Sequence, residues 1–412
     1  MGKPELKKES INLQEYSFKD ADLNDEEYDI LSEHFKDYID VIQLGNGKYR
    51  VKAKEYVGNI TIPCHTIIID PKIEKLNFPR MLAYASDLEP FRKEDFEYLQ
   101  QQENTIFELI VKNFVDRVEQ LCRRGVSKSY YDNEENVSYI KGKILHKENA
   151  IHNPVFKHHV FCRYSEFGSD NLENRIIKYT LYRLSIMDIG KQDLRRKLKF
   201  LLHYFEPISL IPSLFDWIPG IIYNRLTAHY EPIITLCRLI LTRSSVNLRT
   251  TGELKFSSLL VDMNDLFEDF IAGILKTRLK KKGFIIKSGK KKEYGYSDNQ
   301  SLTKIKPDIV IWDGHKKRIL VMDAKYKDKV TDDDLNQIWV YSIVLKLPIG
   351  ILVYPNHALF KSHERTLRII DEQALIRSID LNKQTNIDFE YECNRFVNDI
   401  EILLHRAMTI LS

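Results

Sequence analysis

The chain has 412 residues, 43% of them hydrophobic and 29% charged, and a formal net charge of +3. That length predicts two or three domains with cores of their own. The near-neutral balance excludes a uniformly basic surface, so attraction to phosphate must come from local clusters of Lys and Arg. Five cysteines (Cys64, Cys122, Cys162, Cys237, Cys393), odd in number and without a CxxC pair, exclude a disulfide framework and the common zinc sites. They read as reduced structural thiols. The start, MGKPELKKESINLQEY, has no apolar h-region, and the longest apolar runs, Ile233–Leu241 and Pro348–Tyr354, are too short to span a bilayer. A cytoplasmic protein without membrane association is expected.

Residues 1–40 are polar, mixed in charge and poor in apolar periodicity, which predicts a loosely packed leader. Residues 41–95 form a β-rich region. DVIQL and KYRVKA flank Gly45-Asn46-Gly47, a hairpin signal because Asn-Gly accepts positive φ. VGNITI and HTIIIDPKI continue it, and no long helix is evident before Phe78. Residues 96–255 read as mainly helical, with Phe107, Ile110, Val111, Phe114, Val115 and Val118 on one helical face. The segment 125–169, rich in Asn, Gly, Tyr and His, interrupts them as an inserted finger, with VSYIKGKIL as one of its strands.

Residues 256–412 read as an α/β domain. LLVDMNDLFEDFIAGILKTRL is an amphipathic helix and GFIIKS a short strand. KIKPDIVIW and KRILVMDAK are two strands around Asp313-Gly314-His315-Lys316. TDDDLNQIWVYSIVL is a second helix, with Thr331 as N-cap and Asp334 completing a capping box, and PIGILVYPN is a closing strand.

A hairpin symmetric about residues 315–316 pairs Asp308 with Asp323, and directly opposite residues face the same side. The period of two adds Lys325 to that side. Two carboxylates and an ammonium among apolar residues repel and resist burial unless something offsets their charge. A hard cation such as Mg²⁺ does so, taking a few carboxylate oxygens and leaving positions for substrate phosphate. Such a site suits phosphodiester hydrolysis, with Lys325 holding or helping to deprotonate the attacking water and offsetting charge at phosphorus. Glu268, in the preceding helix, could supply a further ligand or orient water. Gln337, which shares a helix face with Tyr341, could bond the water or the DNA backbone. The bland alternative is an exposed, salt-bridged strand end. Lys280, Lys281, Lys282, Lys290, Lys291 and Lys292, with Arg278 and Lys287, form the densest basic stretch, suited either to gripping phosphates or to a solvated surface. His146, His152, His158 and His159 match no common zinc spacing.

Glu268, Pro307-Asp308, Asp323-Ala324-Lys325 and Gln337 resemble the PD-(D/E)xK nuclease pattern. YVGNITI, IIIDPKI and RMLAY (56–84), CRYSEFGSDNLENRIIK (162–178) and RLTAHYEPIITLCRLIL (225–241) resemble the McrC family, nuclease subunits of McrBC-type 5-methylcytosine-specific restriction systems. The resemblance covers about residues 50–355. It implies a restriction-endonuclease-like αβββαβ core and a metal site of Asp308, Asp323 and Glu268 holding Mg²⁺, for which Mn²⁺ could substitute. It also implies double-stranded DNA as substrate and pairing of two nuclease domains for a double-strand break. Finally, it implies an McrB-like AAA+ GTPase hexamer as partner, docked by the N-terminal part, which would stimulate its GTPase. No nucleotide is expected on this chain, since Leu44-Gly45-Asn46-Gly47-Lys48-Tyr49 lacks the upstream Gly and following Ser/Thr of a Walker A loop. Two alternatives stay open: an adaptor of an AAA+ protein with a vestigial nuclease fold, and a self-sufficient repair nuclease.

Overall fold

The computed structural model describes residues 8–411 except 46, 76, 89–92, 102–103, 156–157, 212–220, 249–253, 289–293, 299–300, 357–363 and 370–371. It divides into two compact units: residues 1–106 together with 260–412, and residues 107–259. The β-rich N-terminal region and the α/β region, expected as separate domains, therefore belong to one unit.

Unit one opens with β1 (Glu9–Gln14), β2 (Phe18–Asp22), α1 (Asp25–His34), β3 (Ile39–Gly45), β4 (Lys48–Ala53), β5 (Tyr56–Thr61) and β6 (His65–Asp70). The helices α2 (Asn77–Ala85) and α3 (Lys93–Gln100) follow. The expected loose leader is corrected here, because residues 9–35 form two strands and a helix, of which β1 and α1 turn apolar side chains into the core. β1 runs parallel to β6, with Ile11 beside Ile67 and Leu13 beside Ile69. Ile11, Leu13, Ile30, Leu31 and Phe35 are buried, and each such side chain contributes roughly 1.5–3 kcal/mol. Asn24 caps α1: its Oδ1 accepts from Glu27 N at 2.9 Å, and its own N donates to Glu27 Oε2 at 3.4 Å. β3 and β4 pair around Gly45 (φ 96°) and Gly47 (φ 72°), where the Asn-Gly signal places the turn.

Unit two contains α4 (Ile106–Arg124), β7 (Ser129–Val137), β8 (Lys143–Ile144), α5 (His146–His152), β9 (Val160–Gly168), α6 (Leu172–Ile186), α7 (Gln192–Tyr204) and α8 (Glu231–Arg243). It ends in β10 (Ser244–Leu248) and the start of β11 (Leu254–Asp262). All six apolar residues assigned to one face of α4 are buried. In the inserted segment the long strand is SYYDNEENV rather than VSYIKGKIL; of the latter, Val137 (the end of that strand), Lys143 and Ile144 pair with β9. Polar pairs across β7 and β9 hold it: Ser165 to Asp132 at 2.6 Å, Arg163 to Glu134 at 2.7 Å and Tyr164 to Glu135 at 2.6 Å. A search for apolar alternation passes over such a strand.

The return to unit one brings α9 (Met263–Leu279), β12 (Ile285–Ser288), β13 (Tyr294–Asp298), β14 (Ser301–Ile305), β15 (Ile309–Trp312) and β16 (Arg318–Ala324). Next come α10 (Asp332–Leu345), β17 (Ile349–Pro355), β18 (Glu364–Ile369), β19 (Glu372–Ile379) and α11 (Asn386–Leu411). One sheet has the order β12-β15-β16-β17-β19-β18. β16, β17 and β19 run parallel, and the remaining pairs are antiparallel. The helix–strand–strand–strand–helix–strand order is present, with the β13–β14 hairpin inserted and β18, β19 and α11 added after it. Those last elements carry no assignment in the sequence pattern above.

Val310, Val321 and Leu352 pack with Ile338, Tyr341 and Leu345 of α10. Alternation turns Ile309, Ile311, Leu320 and Met322 to the opposite face. At Gly350 of β17 a Cβ would lie 2.8 Å from Ile338 Cγ1 and collide with Ser342 Oγ, so α10 sits directly on that strand. Its start has the predicted box: Asp334 N donates to Thr331 Oγ1 at 3.3 Å, and Thr331 N donates to Asp334 Oδ2 at 3.2 Å. Thr331→Ala should therefore lower stability by about 1 kcal/mol in urea titration. An unchanged midpoint would show the box to be idle.

Candidate active site

The β15–β16 register pairs Ile309 with Met322, Val310 with Val321 and Ile311 with Leu320. One step outward, Asp308 stands opposite Asp323. A bulge between Ile311 and Trp312 shifts the turn end of the hairpin, where Trp312 pairs with Arg318, without disturbing that end. Val310 and Val321 face α10, so the period of two directs Asp308, Asp323 and Lys325 to the same side.

Asp308 Oδ2 accepts a hydrogen bond from Ala324 N at 2.8 Å. Lys325 Nζ lies 2.6 Å from Asp323 Oδ2, and the Asp323 side chain is only 1% exposed. Asp323 Oδ1 is buried without a hydrogen-bond partner. Burial, then the charges of Asp323 and Glu268, push the Asp308 pKa up to about 8. Burial alone would lower the Lys325 pKa, but the adjacent Asp323, aided by Asp308, outweighs it and raises the value. Lys325 is therefore a cation at neutral pH. The pair of carboxylates needs a proton or a metal ion between its oxygens.

Glu268, half-buried on α9, reaches Asp308 through its charge. Among the described residues no three His, Cys, Asp or Glu side chains close into a metal-holding cluster. What stands ready is a pair of aspartates, with Glu268 as an outlying third carboxylate. Two facing buried carboxyls, one with an orphaned oxygen, form a donor set that suits a hard divalent ion, which would displace the proton that Asp308 otherwise carries. Gln337 on α10 donates from Nε2 to Tyr341 Oη at 2.7 Å, and Tyr341 Oη donates to Lys306 O at 3.4 Å. Gln337 is thus braced toward the entry to β15.

The raised Asp308 pKa carries a pH signature. Its folded value, about 8, lies above its unfolded value, about 3.9, so its contribution to stability is complete below the unfolded value and lost as pH rises through the folded one. In metal-free buffer the melting temperature should therefore fall more steeply between about pH 4 and pH 8 for the wild type than for Asp308→Asn. Mg²⁺ should restore more stability at the upper end of that range. Parallel pH slopes for the two proteins would refute the assignment.

The basic stretch divides. Lys280 and Lys281 are exposed, whereas Lys282 Nζ pairs with Glu401 Oε2 at 2.5 Å and Arg278 with Glu390 Oε2 at 2.6 Å. Lys287 Nζ sits 4.2 Å from the centre of the Trp312 ring. Lys290, Lys291 and Lys292 lie outside the described residues. Tyr326, directly after Lys325, went unnoticed in the sequence. It is fully buried, and its hydroxyl donates to Glu15 Oε1 at 2.7 Å.

Residues 51–355 match the family described as the McrBC 5-methylcytosine restriction system component. The type IV methyl-directed restriction enzyme EcoKMcrBC of Escherichia coli (strain K12) is 25% identical over 311 residues, which cover 69% of this chain and 87% of that protein. A solved half-complex from a tetradecameric assembly of Thermococcus gammatolerans McrB AAA+ hexamers with bound McrC is similar in fold. It has a TM-score of 0.60 and 21% identity, and the match covers 95% of this chain and all of that one. Among the described residues no helix is long and apolar enough to cross a membrane.

Proposed function

The chain belongs to the McrBC 5-methylcytosine restriction system component family, and from that premise we propose that it is the metal-dependent DNA endonuclease subunit of such a system. The convergence of Asp308, Asp323 and Lys325 at the open end of one hairpin carries this reading. On it, the six-stranded sheet is a restriction-endonuclease-like core of the PD-(D/E)xK kind. Asp308 and Asp323 would hold Mg²⁺, with Glu268 as a further ligand or an orienter of water. Once bound, the ion supplies Lewis-acid polarisation of the scissile phosphate.

Lys325, kept protonated by Asp323, acts as a fixed charge rather than a base. It offsets the negative charge that develops on the phosphate oxygens as the bond breaks. Gln337, braced by Tyr341, orients the attacking water or the DNA backbone. Exposed Lys280 and Lys281 supply phosphate contacts that are sensitive to salt and blind to sequence. The assembly of McrB AAA+ hexamers with bound McrC supports a partnership with an McrB-like AAA+ protein. On this reading the partner is a GTPase that delivers double-stranded DNA and that this chain stimulates. Two paired chains would cut both strands.

The test combines the purified chain, its AAA+ partner, GTP, Mg²⁺ and DNA containing 5-methylcytosine. Cleavage is expected, and chelation of the metal should stop it. Stimulated GTP hydrolysis without cleavage would instead identify an adaptor. Cutting by the chain alone would identify a self-sufficient nuclease.

A further inference from the structure

Tyr326 follows Lys325 immediately, just past the end of β16, and the two side chains meet different partners. Lys325 faces Asp323, while Tyr326 enters a buried polar knot. Its hydroxyl donates to Glu15 Oε1 at 2.7 Å, and Lys72 N donates to the same oxygen at 2.6 Å. Lys72 Nζ lies 4.5 Å from the centre of the Tyr326 ring and pairs with Asp328 Oδ1 at 2.8 Å. Phe267, next to Glu268 on α9, meets the Tyr326 ring with 5.9 Å between centroids. Glu15 Oε2 is buried with no hydrogen-bond partner.

A knot of this kind is expensive as mere filler. Burial raises the Glu15 carboxyl to about 7. A Phe at 326 would fill the same volume without requiring a buried acid. What the polar knot adds is direction, because a hydroxyl and a carboxylate meet in only a narrow range of geometry. On the far side of the backbone, Lys325 N donates to Val353 O at 2.8 Å. Farther along, Lys327 Nζ bonds Asp334 Oδ1 at 2.9 Å. The chain that carries Lys325 is thus pinned on one side by β17 and α10, and on the other by residues that follow β1 and β6.

We propose that Tyr326, held by Glu15 and Lys72, is a positioning residue for Lys325, so that the N-terminal strands of unit one set the geometry of the cutting site. The proposal rests on the nuclease reading. Freeing the knot leaves the metal-holding aspartates in place but lets the Lys325 backbone rock, and displacement of a reacting group by about 1 Å can cost about a hundredfold in rate.

The test uses the complete chain in complex with its AAA+ partner and compares Tyr326→Phe, Glu15→Gln and Glu15→Ala. The turnover of DNA cleavage should fall by about tenfold or more in Tyr326→Phe and Glu15→Ala. KM for DNA and stimulation of GTP hydrolysis should stay at wild-type values. Glu15→Gln, which keeps an oxygen acceptor for the hydroxyl, should cut faster than Glu15→Ala. Independently of cleavage, acylation of Lys325 read by mass spectrometry should speed up in the variants, while acylation of exposed Lys280 stays constant. The double variant Tyr326→Phe/Glu15→Ala should be no worse than either single one, because both break one linkage. Wild-type turnover and wild-type Lys325 labelling in all three variants, with Asp308→Ala inactive in the same assay, would overturn the positioning role alone. An active Asp308→Ala would overturn the nuclease reading and this proposal with it.

Discussion

Asp308→Ala and Lys325→Ala should each abolish DNA cleavage while leaving stimulation of the partner's GTP hydrolysis intact. For Lys325 the expected loss is about a hundredfold to a thousandfold, the scale seen when one preorganised group that stabilises developing charge is removed. For Asp308 the loss should be at least as large, because the pair proposed to hold the metal is broken. The folded state should react in opposite directions to the two changes. Removing Asp308 relieves a carboxylate whose pKa is pushed up to about 8, so metal-free protein at neutral pH should be no less stable. Removing Lys325 leaves Asp323, 1% exposed, without its 2.6 Å ion partner, which should destabilise the fold. Quantitative cleavage on methylated DNA, paired with thermal melts, separates these effects. Normal cutting by both variants would remove this hairpin from the reaction.

Gly273→Ala should be the most destabilising of the conservative changes. Gly273 lies within α9, and a Cβ there would collide with the carbonyl of Tyr84 in α2, coming within 2.7 Å of its carbon atom. Helical propensity favours Ala over Gly by about 1 kcal/mol. The clash is with backbone, which cannot turn aside as a side chain can, so overpacking wins at a cost of roughly 3 kcal/mol. A melting temperature lower by about 5–10 °C is expected for a unit of this size. Since α9 also carries Phe267 and Glu268, activity should decline alongside. Gly314→Ala is the control: a Cβ there meets only Gly283 O, at 3.6 Å, and the change should stay within about 0.5 kcal/mol. Equal melting of the two variants would show that α2 and α9 are not in such close contact.

What was legible in the sequence is what local rules govern. The Asp308–Asp323 juxtaposition follows from counting outward from a turn, and the bulge at Trp312 does not reach that far along the hairpin. The Thr331–Asp334 cap of α10 spans four residues and could be read directly. The Asn24–Glu27 box was equally readable and marks the helix that the 1–40 expectation missed. Other features depend on distant partners. The inward positions of β1 are only Ile11 and Leu13, and their meaning comes from β6. The bond between Glu15 and Tyr326 spans 311 positions, so neither residue carries a local sign of the other.

Because residues 260–412 complete a unit begun by residues 1–106, the order of synthesis matters. On the ribosome, residues 107–259 are all available while the first unit still waits for its second half. The carboxylate of Glu15 emerges early and stays without the hydroxyl it will later accept from, so the contact behind Lys325 closes only after residue 326 has been made. A fragment begun at residue 256 would expose Tyr326 and Phe267 to water and should precipitate rather than cut. The two segments of unit one are therefore not separable by truncation without baring the surface that each buries in the other.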